Sequence, residues 1–106
     1  MLQKIVASNF NDADGNPAGG VVDAVGIKIE FQNGPLGRGA DRKEPNGAFV
    51  EGVIQSAIQR IEYYQASKFK CRENAIALTH LETALLWLQK RTWDREQREV
   101  EGTHTA

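Results

Sequence analysis

The stretch CRENAIALTHLETALLWLQKRTWDRE, Cys71–Glu96, decides the fold. It opens with polar or reactive residues and then passes abruptly into an apolar pattern. Asn74, Leu78, Leu81, Leu85 and Leu88 recur at steps of three and four, the spacing that lines one face of an α-helix. The spacing predicts a helix from about Arg72 to Arg98. The opening group Cys71, Arg72, Glu73 and Asn74 has three readings: a catalytic cluster, a metal corner or a helix start. Ile76 and Trp87 fall on one flank of the stripe, and Ala75, Leu86 and Trp93 on another. That is more apolar surface than a single partner helix covers. Either a small β element lies over it or other subunits do, and a few short strands are too small for the task. Subunit contacts are therefore expected.

Working upstream, Phe49, Val50, Val53, Ile54, Ala57, Ile58 and Ile61 repeat the helical spacing. Asn46 after Pro45 reads as the N-cap, with the helix running to about Ala66. The connection SKFK is short, so the two helices should form an antiparallel hairpin. Residues 1 to 31 read as β structure. KIVAS is a short apolar strand, FNDADGNPAGG a loop, and VVDAVGIKIEFQ alternates, with Ile27, Ile29 and Phe31 on one face, so that two or three strands are expected. NGPLGRGADRKEPNGAF is a glycine-rich loop that carries Arg38, Arg42 and Lys43. The expected fold is α+β: a small N-terminal antiparallel β element and a long antiparallel helical hairpin, assembled as a homo-oligomer. Residues 1–106 form a single domain in this reading, with the β element and loop over 1–45 and the hairpin and C-terminal tail over 46–106. The tail VEGTHTA has no helical pattern, so it is either frayed or laid across a neighbour.

The chain has 106 residues with 41% hydrophobic and 25% charged composition, enough for one modest domain. Its net charge of −1 gives no global attraction to a nucleic-acid polymer or a membrane, so any anion site must be a local cluster. One Cys excludes an intrachain disulfide and a cysteine-rich zinc site. MLQKIVASNF lacks the apolar run of a signal peptide, and nothing reaches membrane-spanning length, which predicts a cytosolic protein.

Catalysis finds little support. Cys71 and His80 stand nine residues apart on one helix, about 13 Å along its axis, and cannot act together within a chain. Glu73, His80 and Glu82 do not share a face, so no metal site is expected. Basic residues carry the better signal. Lys90, Arg91, Arg95 and Arg98 crowd the end of the second helix, where cations oppose the macrodipole whatever else they do. Arg91 and Arg95 are also one turn apart at the edge of the apolar stripe, a position that borders a cleft. Arg38, Arg42 and Lys43 lie in a glycine-rich setting that suits phosphate, although the loop lacks the ending of a P-loop. Tyr63, Tyr64 and Phe69 at the hairpin bend, and Trp93 beside the arginines, would suit a base. Helix-end charge neutralisation and nucleotide binding both remain open on these residues alone.

CRENAIALTHLETALLWLQKRTWDRE followed by VEGTH resembles the helical hairpin shared by two families of phage counter-defence proteins, Thoeris anti-defence type 1 and anti-CBASS type 2. NPAGG and FQNGPLGRGADRKEPNGAFVEGVI resemble the first family specifically. In REQREVEGTH the family-like glycine near Glu99 is missing. The resemblance implies a non-enzymatic sponge that sequesters an immune signal and releases it intact. The implied ligand is a glycocyclic ADP-ribose made by a TIR-domain enzyme of Thoeris, with CBASS cyclic trinucleotides as further ligands in a separate pocket. It also implies a homohexamer built as a trimer of dimers, action in the cytoplasm of the infected bacterial host, and no cofactor. On this resemblance Asn74 meets a base or ribose, Arg91 and Arg95 clamp a diphosphate, and Tyr64 stacks on adenine. Arg38, Arg42 and Arg72 complete the candidate set. The alternative is a structural or protein-binding oligomer with no nucleotide ligand.

Overall fold

The computed structural model describes residues 2–106, which form an antiparallel three-stranded sheet and two helices. They fall into two compact units, one comprising residues up to Phe49 together with Glu99–Ala106, the other Val50–Arg98. No helix among the described residues is long and apolar enough to cross a membrane.

In the first unit the strands are β1 (Val6–Asn11), β2 (Pro17–Ala24) and β3 (Ile27–Glu30), in spatial order β1-β2-β3. More of the segment is strand than composition suggested. FNDADGNPAGG is a loop only around Asp12–Asn16, because the Asp12 carboxylate closes a tight turn. Its Oδ1 accepts the backbone N–H groups of Asp14 and Asn16, each at 2.9 Å. The Asn16 N–H is also the main reason the Asp12 carboxyl is held below the usual carboxylate range. NPAGG then enters the central strand. Gly19 and Gly20 are buried there, and a Cβ on Gly20 would stand 2.9 Å from Asn9 Oδ1 and 3.1 Å from the Ser8 carbonyl oxygen. Gly20 thus serves close strand approach rather than looping, while a Cβ on Gly19 would stand 3.2 Å from Asn33 Cγ.

VVDAVGIKIEFQ contributes to two strands, β2 and β3. Gly26 takes a φ of 76°, which reverses the chain after Val25. Ala24 pairs with Ile27 and Val22 with Ile29 across the resulting hairpin. Ile27, Ile29 and Phe31 are the more covered residues and Lys28 and Glu30 the exposed ones, in agreement with the alternation.

The glycine-rich loop returns to the sheet. Phe31 and Ala48 form a parallel bridge, with the Gln32 N–H donating to the Ala48 carbonyl at 2.9 Å. Asn46 does not cap the helix as expected. Its side chain accepts the Asn33 N–H at 2.8 Å and donates to the Asn33 carbonyl at 3.0 Å. With Asn46–Ala48 held alongside the sheet, the first helix begins at Val50.

The tail is held on the glycine-rich loop of its own chain rather than frayed. The Gly37 N–H donates to the Gly102 carbonyl at 2.7 Å, Arg38 Nη1 donates to the Glu101 carbonyl, and Arg42 meets the Glu101 carboxylate at 2.6 Å. Acceptors on both the backbone and the side chain at Glu101 thus hold the tail on the loop of its own chain.

The second unit is the antiparallel hairpin of α1 (Val50–Gln65) and α2 (Arg72–Gln97). The half-covered residues of α1 include Ile54, Ile58, Ile61 and Gln65, and those of α2 include Asn74, Leu78, Leu81, Leu85 and Leu88. Both sets follow the step of three and four that brings a seam onto one face. Gln65 fastens the bend. Its amide accepts the Cys71 N–H at 2.9 Å and donates to the Cys71 carbonyl at 3.1 Å, as a paired strand would. Cys71 occupies the N-cap position of α2 with extended backbone and an exposed side chain. Among the readings of the opening group, the helix start describes its structure.

Candidate functional site

The candidate residues lie in three groups. At the bend, Tyr64 lies in the last turn of α1, Arg72 begins α2, and Asn74 stands two residues further on. Asn74 is half-covered because it is the first member of the seam series continued by Leu78 and Leu81. Its amide has no hydrogen-bond partner among the described residues, which leaves donors and an acceptor for a ligand.

The Tyr64 ring has a defined neighbour. The Arg60 guanidinium carbon lies 4.9 Å from the Tyr64 ring centroid and 5.1 Å from that of Tyr63, and its Nε donates to the Tyr64 hydroxyl at 3.1 Å. The two rings are 6.0 Å apart and tilted by 53°. Arg60 and Tyr64 meet because positions four apart on a helix are neighbours. That spacing was present in the sequence, although nothing there distinguished this arginine from a solvated one.

Arg91 and Arg95 form the second group, near the far end of α2. Arg95 lies seven residues after Leu88 and continues the covered series. Arg91 is exposed and has no hydrogen bond or ion pair among the described residues, while the adjacent Lys90 is bound to Asp94 at 2.7 Å. The free guanidinium of Arg91, one helical turn from Arg95, presents a fork of donors suited to oxyanions. Asn74 and Arg91 are seventeen positions apart on one helix, a separation of about 25 Å along the axis. One chain therefore does not bring these two residues onto one small ligand.

Arg38 and Arg42 form the third group, in the first unit. Their guanidinium groups are turned to the Gly37 and Glu101 carbonyls and the Glu101 carboxylate. Glu101 offsets the charge of Arg42, so the phosphate-binding potential read from the loop's composition is partly spent on the tail. Glu101 was missed as a structural residue because its partner lies 59 positions away, and no local pattern signals such a pairing.

The Acb2/Tad1 hairpin-domain family model matches residues 23–93. The chain is also similar to a protein of Bacillus phage SBSphiJ7 described as Thoeris anti-defense 1, with 53% identity over 76 residues. That match covers 72% of this chain and 51% of the relative, so it spans about half of the relative's length.

Proposed function

The chain belongs to the family of Acb2/Tad1 hairpin proteins, and on that premise we propose that it is a phage counter-defence protein. It binds a bacterial immune signal and withholds it from the effector without changing it chemically. The ligand in this reading is a glycocyclic ADP-ribose. Arg91 and Arg95 hold its diphosphate, Asn74 meets base or ribose, and Tyr64 stacks on adenine, with Arg72 at the same end as Tyr64. CBASS cyclic trinucleotides would occupy a separate pocket.

The observation that carries the reading is the uncovered hairpin. Neither helix buries a residue, and Leu86, Trp87 and Trp93 are 65%, 66% and 57% exposed. A two-helix seam with no buried side chain is a weak support for itself, because burial of an amphipathic face supplies most helix stability in water. Further copies of the chain would cover Trp87 and Leu86, and the homohexamer is the assembly proposed. Such an assembly also supports the separation of Asn74 from Arg91, since the Asn74 end of one chain can then meet the arginine end of another. Sequestration needs affinity rather than turnover: nanomolar binding, about −12 kcal/mol, suffices when protein exceeds signal.

The test is calorimetry with a glycocyclic ADP-ribose prepared from NAD by a TIR-domain enzyme, followed by heat release and mass analysis. Signal recovered at unchanged mass is expected. A linearised or hydrolysed product would reject sequestration in favour of degradation. A second reading is a structural or protein-binding oligomer with no nucleotide ligand, its arginines held in ion pairs as Arg42 is by Glu101. It predicts no heat of binding and no released nucleotide.

A further inference from the structure

In the Arg60–Tyr63–Tyr64 cluster one cation meets two rings, whereas Lys68 at the same bend lies over the single ring of Phe69. The guanidinium carbon is nearly equidistant from both ring centroids, at 5.1 and 4.9 Å. Its Nε–H is directed at the Tyr64 hydroxyl at 3.1 Å. A tyrosine at the exposed end of a helix would otherwise sample its rotamers, and a mobile ring loses entropy when it stacks. Three features restrict this one: the cation over the ring, the hydrogen bond at the phenol oxygen, and Tyr63 as a second surface for the same cation. Arg60 also covers part of the Tyr64 ring, so a base can stack only on what the guanidinium leaves open.

We infer that Arg60 is a positioning residue for the signal site. It holds the Tyr64 ring as a preorganised, one-sided stacking platform for the purine of the ligand. The inference rests on the proposed role of Tyr64 and adds to it the residue that sets the ring's orientation. Arg60 acts through Tyr64 and does not itself bind the phosphates, which fall to Arg91 and Arg95. Its contribution is therefore to the entropy and geometry of stacking. Removing it should weaken binding only when the ring is present.

The experiment is a double-mutant cycle by calorimetry, with enzymatically prepared glycocyclic ADP-ribose as the probe and the full chain in its native assembly. Arg60→Ala should lower affinity about five- to tenfold, in keeping with loss of cation–π restraint and one hydrogen bond. Arg60→Lys keeps a cation without the planar Nε donor, and should recover part of that loss. In a Tyr64→Ala background, Arg60→Ala should have no further effect. Nuclear Overhauser contacts between the Arg60 side chain and the Tyr64 ring in the unliganded protein supply a readout independent of binding. Wild-type affinity in Arg60→Ala, with Tyr64→Ala weakened, would overturn the inference and leave the site reading intact. An equal loss from Arg60→Ala in both backgrounds would also overturn it, by showing direct contact of Arg60 with the ligand. Failure of the wild type to bind, or normal binding by Tyr64→Ala, would reject the site reading itself and this inference with it.

Discussion

Glu99→Gly should stabilise the protein. The second helix ends with Arg98 in a helical conformation, φ −85° and ψ −1°, and the next residue, Glu99, takes φ +60°. This is the left-handed position that commonly follows a helix and is usually filled by glycine. An L side chain there brings Cβ against the following carbonyl at a cost of about 1–2 kcal/mol. Glycine removes that cost but adds about 0.5–1 kcal/mol of backbone freedom to the unfolded chain. The difference leaves a gain of about 0.5–1 kcal/mol. At about 4–8 °C per kcal/mol for a chain of this size, Tm should rise by about 2–8 °C. Thermal unfolding followed by circular dichroism, at one fixed protein concentration because the proposed assembly would add to apparent stability, measures it. Glu99→Ala is the control: it removes an acidic group from the negative end of the helix dipole but keeps a Cβ. If Gly and Ala variants melt together, the conformational argument fails and any gain belongs to the charge. A Glu99→Val variant, with a β-branched side chain at the same φ, should melt below both.

Arg91→Ala should weaken the proposed binding of glycocyclic ADP-ribose by about one to two orders of magnitude, the equivalent of about 1.5–3 kcal/mol for a charged hydrogen bond. Its thermal stability should be unchanged, since Arg91 makes no hydrogen bond or ion pair among the described residues; unaltered affinity in calorimetry would remove it from the site. Trp87→Glu should disperse the proposed assembly, because a carboxylate at a packed interface is costly to desolvate. Multi-angle light scattering should then find a smaller species, and a wild type that is itself monomeric at micromolar concentration would refute the premise. Gln65→Ala removes both bonds to Cys71 and should cost about 1–3 kcal/mol, the lower end being favoured by the exposure of the bend. Faster hydrogen exchange at the Cys71 amide checks it. Asp12 should titrate below the ordinary carboxylate value because its charged form accepts the Asn16 and Asp14 N–H groups. Its folded pKa is depressed, so the stability it contributes is complete above the unfolded value near about 3.9 and is lost as pH falls through the folded one. A carboxyl carbon titration by NMR with its midpoint at or above the ordinary value would contradict the turn geometry.

The helices were legible in the sequence because their signal is local. Leu78, Leu81, Leu85 and Leu88 repeat with the period of the α-helix itself, and a connection of six residues, 66–71, permits only a close return. The surplus of Ile76, Leu86, Trp87 and Trp93 over one seam was legible for the same reason. The resemblance, rather than any local spacing, placed an expected glycine near Glu99, the residue that takes φ +60°. The sheet was read less well, because glycine and asparagine mark both loops and closely spaced strands. Only the partner strand shows that Gly20 is buried beside Asn9 while Gly26 turns the chain. The start of the first helix moved from Asn46 to Val50 on account of Asn33, thirteen positions away, which drew the asparagine amide into a pairing no local pattern encodes. The tail followed the same logic. Glu101 is one acid among many in the sequence, and only the fold brings it to Arg42 and Arg38. What depended on the order of neighbouring residues could be read from the chain. What depended on which distant groups satisfied one another's hydrogen bonds was decided by the tertiary structure, because a donor is recognisable in a sequence but its acceptor is chosen in space.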